Sequence, residues 1–351
     1  MKDLKYLCAY TIPIMALLGL WFKDLFTYLT PIYAFGFIPF IDLFTQSSIK
    51  NLNDKNRLEK QHNKIFDWLL YLNLPIVYGV LFTTLYVTTT VSLQTYELVG
   101  IILSTGIVLG TNGINVAHEL GHRFTKERFV GKALLLPSLY MHFYIEHNFG
   151  HHQKIATTED PATARYNQPV YFFWITSITG QYISAWNIQF SLLKKEKLRF
   201  FSFKNDMLWY SVITLSYLSL IFLYFGFFGF QVALFSGITG FLLLETINYI
   251  EHYGLKRKKT ASGRYERVRE IHSWNSNHTL GRIMLYELTR HSDHHHRASK
   301  KYQLLDHHNE SPQLPFGYPT SMVLALIPPI WFLIMNKHVP LEMKKLAKKM
   351  V

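Results

Sequence analysis

Residues 98–122 read LVGIILSTGIVLGTNGINVAHELGH and join an apolar run free of Asp, Glu, Lys and Arg to two histidines four residues apart, His118 and His122. About 20 consecutive apolar residues are needed for a helix to cross the hydrocarbon core of a bilayer, and 98–117 supplies them. Working outward, comparable runs lie at 6–22, 27–45, 66–88, 207–226 and 229–249. The pattern predicts an all-α polytopic membrane protein with about six transmembrane helices. Lys2 and Lys5 give the N-terminus a signal-like start, but no small-residue cleavage site follows Trp21, so the first run is expected to be retained.

Orientation follows from the loops, because Lys and Arg close to the spans favour the cytoplasmic side. The 46–65 connection carries Lys50, Lys55, Arg57, Lys60 and Lys64, whereas 89–97 and the turn near Gly226 and Gly229 carry none. Both termini are therefore expected in the cytoplasm, with a histidine-rich helical cap built from 118–206 and 250–317 on the same face of one membrane-embedded unit. The last apolar stretch, Tyr318 to Met335, contains Pro319, Pro328 and Pro329 and precedes a tail with Lys344, Lys345, Lys348 and Lys349. It is read as re-entrant or peripheral.

Composition narrows the chemistry. The formal charge is +13, from 36 Lys+Arg against 23 Asp+Glu, and no nucleic acid is expected among the partners. One cysteine, Cys8, excludes a disulfide framework, a four-cysteine zinc or rubredoxin-type site and a cysteine-held iron–sulfur cluster. The absence of GxGxxG and GxxxxGK[ST] argues against bound NAD, FAD or a nucleoside triphosphate. Histidine, at 17 residues, is the abundant ligand type.

His118-Glu119-Leu120-Gly121-His122 places two imidazoles on one helix face, about 6 Å apart along the axis. Alone, HELGH fits one metal, a metal pair, or the zinc-protease pattern with Glu119 as general base. Further clusters follow: Glu146-His147-Asn148-Phe149-Gly150-His151-His152, Asn248-Tyr249-Ile250-Glu251-His252, and His291-Ser292-Asp293-His294-His295-His296. Together they offer at least twice the three or four ligands one zinc needs.

In identity, order and position relative to the spans, these four boxes resemble the integral-membrane alkane hydroxylases, relatives of the membrane fatty-acid desaturases and of xylene monooxygenase. Glu159-Asp160-Pro161-Ala162 and His272-Ser273-Trp274-Asn275-Ser276-Asn277-His278 also look like family segments. The resemblance covers about 98–317; before residue 95 it rests on hydropathy alone. It implies a fatty-acid-desaturase-like fold and a non-haem di-iron site of two Fe ions held by His118, His122, His147, His151, His152, His252, His291, His294 and His295. His291, His294 and His295 share one helical face, whereas His151 and His152 point about 100° apart, so that segment must serve two metals or leave regular helix. His296 departs from the family pattern and is left out of the ligand set. His62, His142, His307, His308 and His338 lack box context and are read as surface or satisfied polar residues.

Metal-bound imidazoles usually donate their other N–H to a carboxylate or carbonyl, which makes Glu119, Glu146, Glu251, Asp293 and Asn248 candidate orienting groups. Glu245, Asn112 and Asn115 lie in the spans, where such groups usually face the protein interior. The resemblance implies a monooxygenase that hydroxylates the terminal carbon of medium- or long-chain n-alkanes with O2. Electrons would come from rubredoxin and an NAD(P)H-dependent rubredoxin reductase, at the inner membrane. A desaturase or hydroxylase of acyl lipids, a hydroxylase of alkyl-aromatics, a membrane zinc protease and a histidine-rich metal carrier are the competing readings. A cavity between the spans is expected to admit the chain end first, with Trp21, Phe35 and Phe37 as candidates for setting its length.

Overall fold

The computed structural model describes residues 2–45 and 47–348; Lys349 of the basic tail lies outside them. Among the described residues the chain is helical, with only two isolated bridges and no strand. Among the described residues five helices are long and apolar enough to cross a membrane: α1 (Asp3–Phe22), α2 (Asp24–Asp42), α3 (Ile65–Thr90), α4 (Thr95–Gly121) and, later in the chain, Asp206–His252. Between α4 and that last helix come α5 (Thr125–Leu135), a helical segment at 143–154 called α6, and α7 (Val170–Lys195), so Asp206–His252 is α8.

Six apolar runs become five helices because the fifth and sixth are the two legs of α8. At Gly226 the backbone turns left-handed (φ 67°, ψ −175°) inside an otherwise helical 47-residue element. Glycine takes this conformation without a Cβ clash. Ile221 on one leg and Val232 and Ala233 on the other pack into one cluster with Leu81 and Leu85 of α3. In a straight helix Ile221 and Val232 would stand about 16 Å apart, so the legs fold back at Gly226. Each leg is still long enough to span, at about 1.5 Å per residue.

α4 and α8 cross closely. A Cβ on Gly106 would fall inside the Thr239 side chain and lie 3.0 Å from the Ser236 carbonyl oxygen. Small residues at such a crossing let two backbones approach where apolar burial gives no drive. Val108, Leu109, Ile114 and Leu120 of α4 are fully buried in the main core with Leu69, Leu70 and Val77 of α3. The consequence for the site is positional: α4 ends at Gly121 and α8 at His252, so the first and third histidine boxes arrive together.

The remaining elements close over those ends. A short helix, α9 (His291–His296), carries the fourth box. The stretch read as re-entrant or peripheral is two helices, α10 (Tyr318–Ala325) and α11 (Pro328–His338), parted at Ile327 by the Pro328-Pro329 pair. Neither is long enough to cross a bilayer. Trp331 and Met335 bury against Tyr249 and Tyr253 at the end of α8. The 118–206 block also holds a feature its reading as a cap did not anticipate: the 26-residue α7 buries Ser177, Gln181 and Gln189 and turns Phe172, Ile175, Ile183 and Phe190 outward.

Candidate metal centre

The nine box histidines converge in two groups. His118, His122, His147, His152 and His294 form one, and His151, His252, His291 and His295 the other; within each group one nitrogen per imidazole lies within 4.8 Å of all the rest. Most of the nine are buried, with His122 and His152 partly so. His296 lies outside both groups, 3.6 Å from a Glu270 oxygen.

Local backbone explains the division. His118 and His122 are one α-turn apart and serve the same group. Residues 147–151 instead form a wider π-turn, whose pitch brings residues i and i+5 into line. His147 and His152, about 140° apart on a regular α-helix, therefore point the same way, with Nε2 atoms 3.0 Å apart. His151 falls to the second group. The segment thus does both things its sequence allowed: it leaves regular α-helix and feeds two groups. In α9, His291 and His295 share the second group, Nε2 to Nε2 2.8 Å, while His294 turns to the first.

These separations suit a shared ion. His122 and His147 Nε2 are 3.2 Å apart, and His252 and His291 Nε2 3.3 Å. With metal–nitrogen bonds of about 2.1 Å, adjacent corners of an octahedron are about 3 Å apart. Nε2 of His118, His151 and His294 are buried without a hydrogen-bond partner among the described residues, a condition normally satisfied by a ligand. Burial, then neighbouring imidazoles, hold His147, His152, His291, His294 and His295 well below the usual histidine range. Burial and then Arg128 bring His122 down to about 3. Neutral donors of this kind are ready for a cation without first losing protons.

The carboxylates divide differently from their sequence neighbours. Asp160, nine residues beyond His151, places Oδ2 3.0 Å from His151 Nδ1 and accepts from the Thr163 hydroxyl at 2.5 Å. Burial alone would raise the Asp160 carboxyl, but His151 outweighs it and holds it below its ordinary value. This is the carboxylate–imidazole contact that fixes a metal-binding tautomer, and adjacency in sequence missed it. Glu119 instead accepts from the Arg123 guanidinium and the Tyr302 amide. Asp293 takes Lys300, His308 and the Asp306 amide. Glu146 is buried with no partner for either oxygen among the described residues, and burial pushes it up to about 8. Asn248 donates to Glu245 at 3.3 Å, and Glu245 also accepts from Tyr140 and Gln181. Glu251 faces the converging nitrogens: Oε2 lies 3.1 Å from His291 Nε2, and Oε1 accepts from Tyr318 at 2.7 Å.

One of the set-aside histidines is neither a surface residue nor a satisfied polar one. His142 is buried against Tyr140 and Tyr182 with Nε2 unpartnered, because its segment packs under α7. His308 pairs with Asp293 at 2.8 Å. His62 and His338 are exposed, and His307 meets Asn277 at 3.0 Å.

An apolar cavity of about 80 Å³ opens onto the histidines. Asn115, His118, His147, Glu251 and His291 line its inner end, and Ile12, Phe35, Ile38, Ile107, Leu243 and Met322 its walls. Phe35, Ile107, Leu243 and Met322 also line a second apolar cavity of about 410 Å³, further walled by Pro31, Leu103 and Leu242. Of the three aromatics expected near the bore only Phe35 is there. Trp21 is 79% and Phe37 51% exposed, because α1 and α2 turn those positions outward. Asn112 pins Asn73 and the Ala9 carbonyl instead of lining the cavity.

Apolar helices that end in His118, His122 and His252, met by six further imidazoles on two short segments, define a membrane protein with a candidate metal site. A fatty acid desaturase family profile matches residues 93–323. Alkane 1-monooxygenase 2 of Alcanivorax borkumensis is 36% identical over 319 residues, 90% of this chain and 84% of the relative. Alkane 1-monooxygenase 1 of Pseudomonas aeruginosa is 42% identical over 241 residues, 68% of this chain and 63% of the relative. The xylene/toluene monooxygenase hydroxylase component of Pseudomonas putida is 27% identical over 280 residues, 77% of this chain and 73% of the relative. The chain belongs to the fatty acid desaturase family, on the branch of the alkane 1-monooxygenases.

Proposed function

We propose that this protein is an alkane 1-monooxygenase with a non-haem di-iron centre, hydroxylating the terminal carbon of medium- or long-chain n-alkanes. The observation that carries the proposal is the convergence of nine imidazoles, most of them buried, in groups of five and four, with His118 and His147 of one group and His291 of the other lining an apolar cavity. Imidazole suits iron as well as zinc, and two groups serve two ions. The ligands are His118, His122, His147, His152 and His294 for one and His151, His252, His291 and His295 for the other. When bound, the iron pair supplies the activation of O2 and the insertion of one oxygen atom into a C–H bond.

The chain's own residues do the rest. Asp160 holds a proton on His151 Nδ1, which leaves Nε2 free to coordinate. Tyr318 fixes Glu251 against the second group. The walls from Ile12 to Met322 exclude water and admit an apolar chain, and a narrow bore presents only its leading carbon to the centre. The second cavity, sharing four wall residues with the first, offers a route from the bilayer. Glu119 argues against a zinc protease, because Arg123 and the Tyr302 amide occupy the carboxylate that a general base would need.

The basic loop at 46–65 supports cytoplasmic termini and a cytoplasmic metal centre in the inner membrane, with 118–206 and 250–317 around it as one catalytic unit. With one cysteine in the chain, electrons are to come from a separate carrier, rubredoxin with its NAD(P)H-dependent reductase, steered by the basic face in a salt-dependent way. The test is metal analysis of the purified protein together with an O2- and carrier-dependent product assay. About two irons per chain and 1-alkanols from n-alkanes are expected. One zinc without iron, or turnover of acyl lipids and of no alkane, would overturn the reading.

A further inference from the structure

Between α7 and α8 the chain reads KKEKLRFFSFK, residues 194–204. Lys194, Lys195, Lys197, Arg199 and Lys204 are all exposed, against one acidic residue, Glu196. Glu196 is occupied by Lys204 at 2.6 Å. The other four cations have no carboxylate partner among the described residues. Beside them Phe201 is 81% and Phe203 86% exposed, and Phe200 is exposed as well. Charge pairing within the chain does not account for these four cations, and ring contacts still leave Phe201 and Phe203 mostly exposed.

The loop is nevertheless firmly built. Leu198 N–H donates to the Leu193 carbonyl at 2.9 Å and Glu196 N–H to Leu192 at 3.2 Å, closing the end of α7. The left-handed position of that closure is Lys197 (φ 56°), where glycine is the usual occupant. Asn205 Nδ2 donates to the Phe200 carbonyl and Gln189 Nε2 to the Lys204 carbonyl. Phe200 stacks on Trp186, and Phe203 stacks on Trp209 at 5.5 Å. The cations and phenylalanines are therefore displayed together on a fixed turn, one residue before a helix long and apolar enough to cross a membrane.

We infer that this turn is a binding site for the headgroups of anionic phospholipids, with Phe201 and Phe203 inserted among the acyl chains below them. Basic clusters next to a membrane helix attract anionic lipid, and aromatic side chains settle at the interface. The outward apolar stripe of α7 (Phe172, Ile175, Ile183, Phe190) runs up to the turn, so an exposed apolar surface continues to the cations. An acidic protein partner would match the charge but would leave that stripe and the two phenylalanines without a role.

The inference does not depend on the reaction catalysed. The full-length protein is equilibrated in mild detergent with mixed phosphatidylglycerol and phosphatidylcholine, and the lipid retained after purification is counted by native mass spectrometry. Wild type should retain phosphatidylglycerol preferentially, and the K194Q/K195Q/K197Q/R199Q variant should lose that preference roughly tenfold with unchanged metal content. High salt should abolish the preference in wild type, a measurement that needs no variant. F201S/F203S should weaken total lipid retention while keeping the headgroup preference. Equal retention of both lipids by wild type would overturn the inference. So would a quadruple variant that keeps its lipid preference and instead loses salt-dependent affinity for an acidic electron carrier.

Discussion

Nine histidines converge where one zinc would use three or four, and the division into five and four gives each side chain a definite expected consequence. Asp160 tests it from outside the ligand set. Asp160→Asn removes the charge that holds His151 Nδ1–H, and contacts of this kind typically change metal affinity by about 10- to 100-fold. Competition with a chelator should show faster metal loss from the His151 group, whereas Glu119→Gln should chiefly lower thermal stability, by about 1.5 kcal/mol, since Arg123 loses one of its two carboxylates and keeps Asp67. Residues outside the ligand set add their own contributions to the acid limb of stability. Burial brings His142 down to about 3. Its folded value lies below the unfolded one, so the unfolded chain binds the extra proton and stability falls as pH drops below about 6.5. Burial would raise the Glu287 carboxyl, but Arg282 and Lys5 hold it at about 2. Its contribution is intact above the usual carboxylate range and is lost as pH falls from about 4.3 towards 2. Melting curves against pH should therefore flatten between pH 4 and 6.5 for His142→Phe, and only below that for Glu287→Gln; a uniform shift in both would contradict the assignment.

Elements decide where those residues meet. Replacing Gly106 with Ala puts a methyl into Thr239 at the α4–α8 crossing, and overpacking of that kind costs about 1–3 kcal/mol. Because α4 ends in His118 and His122 and α8 in His252, the variant should lose bound metal as well as thermal stability, in contrast to an equally destabilising change in α3. The box histidines were legible in sequence because ligands announce themselves by residue type and repeated clustering, and the apolar runs gave the helices to within a few residues. What was not legible depends on backbone detail. The pairing of His147 with His152 needs a π-turn, which no spacing rule for an α-helix yields. Asp160 reaches His151 through a loop, and nothing in nine residues of sequence fixes that approach. Trp21 and Phe37 were misplaced because an aromatic on a membrane helix reads the same whether it faces lipid or the interior. The long α7, with Ser177, Gln181 and Gln189 among its buried residues and an apolar stripe turned outward, was hidden in a block read only as part of the histidine-rich cap.

At the scale of the whole molecule, the helices converge so that His118, His147 and His291 line one apolar cavity and a second apolar cavity adjoins it through Phe35, Ile107, Leu243 and Met322. A linear chain entering from the second cavity must pass these four side chains before its end reaches the imidazoles, so they act on length and regiochemistry together. Phe35→Ala should widen the passage and relax the requirement for end-on approach, raising the share of internal alcohols and admitting longer or branched substrates. Leu243→Phe should narrow it and depress the longest n-alkanes first; pocket discrimination is worth about tenfold or more per methylene of misfit. Gas chromatography of products from cells supplied with a ladder of n-alkanes and the redox partners reads both effects in one experiment. Both variants leave the nine histidines untouched, so iron content should stay at the wild-type level while the product profile moves. If Phe35→Ala and Leu243→Phe alter total turnover with an unchanged chain-length profile and only terminal alcohols, the substrate reaches the centre by another path.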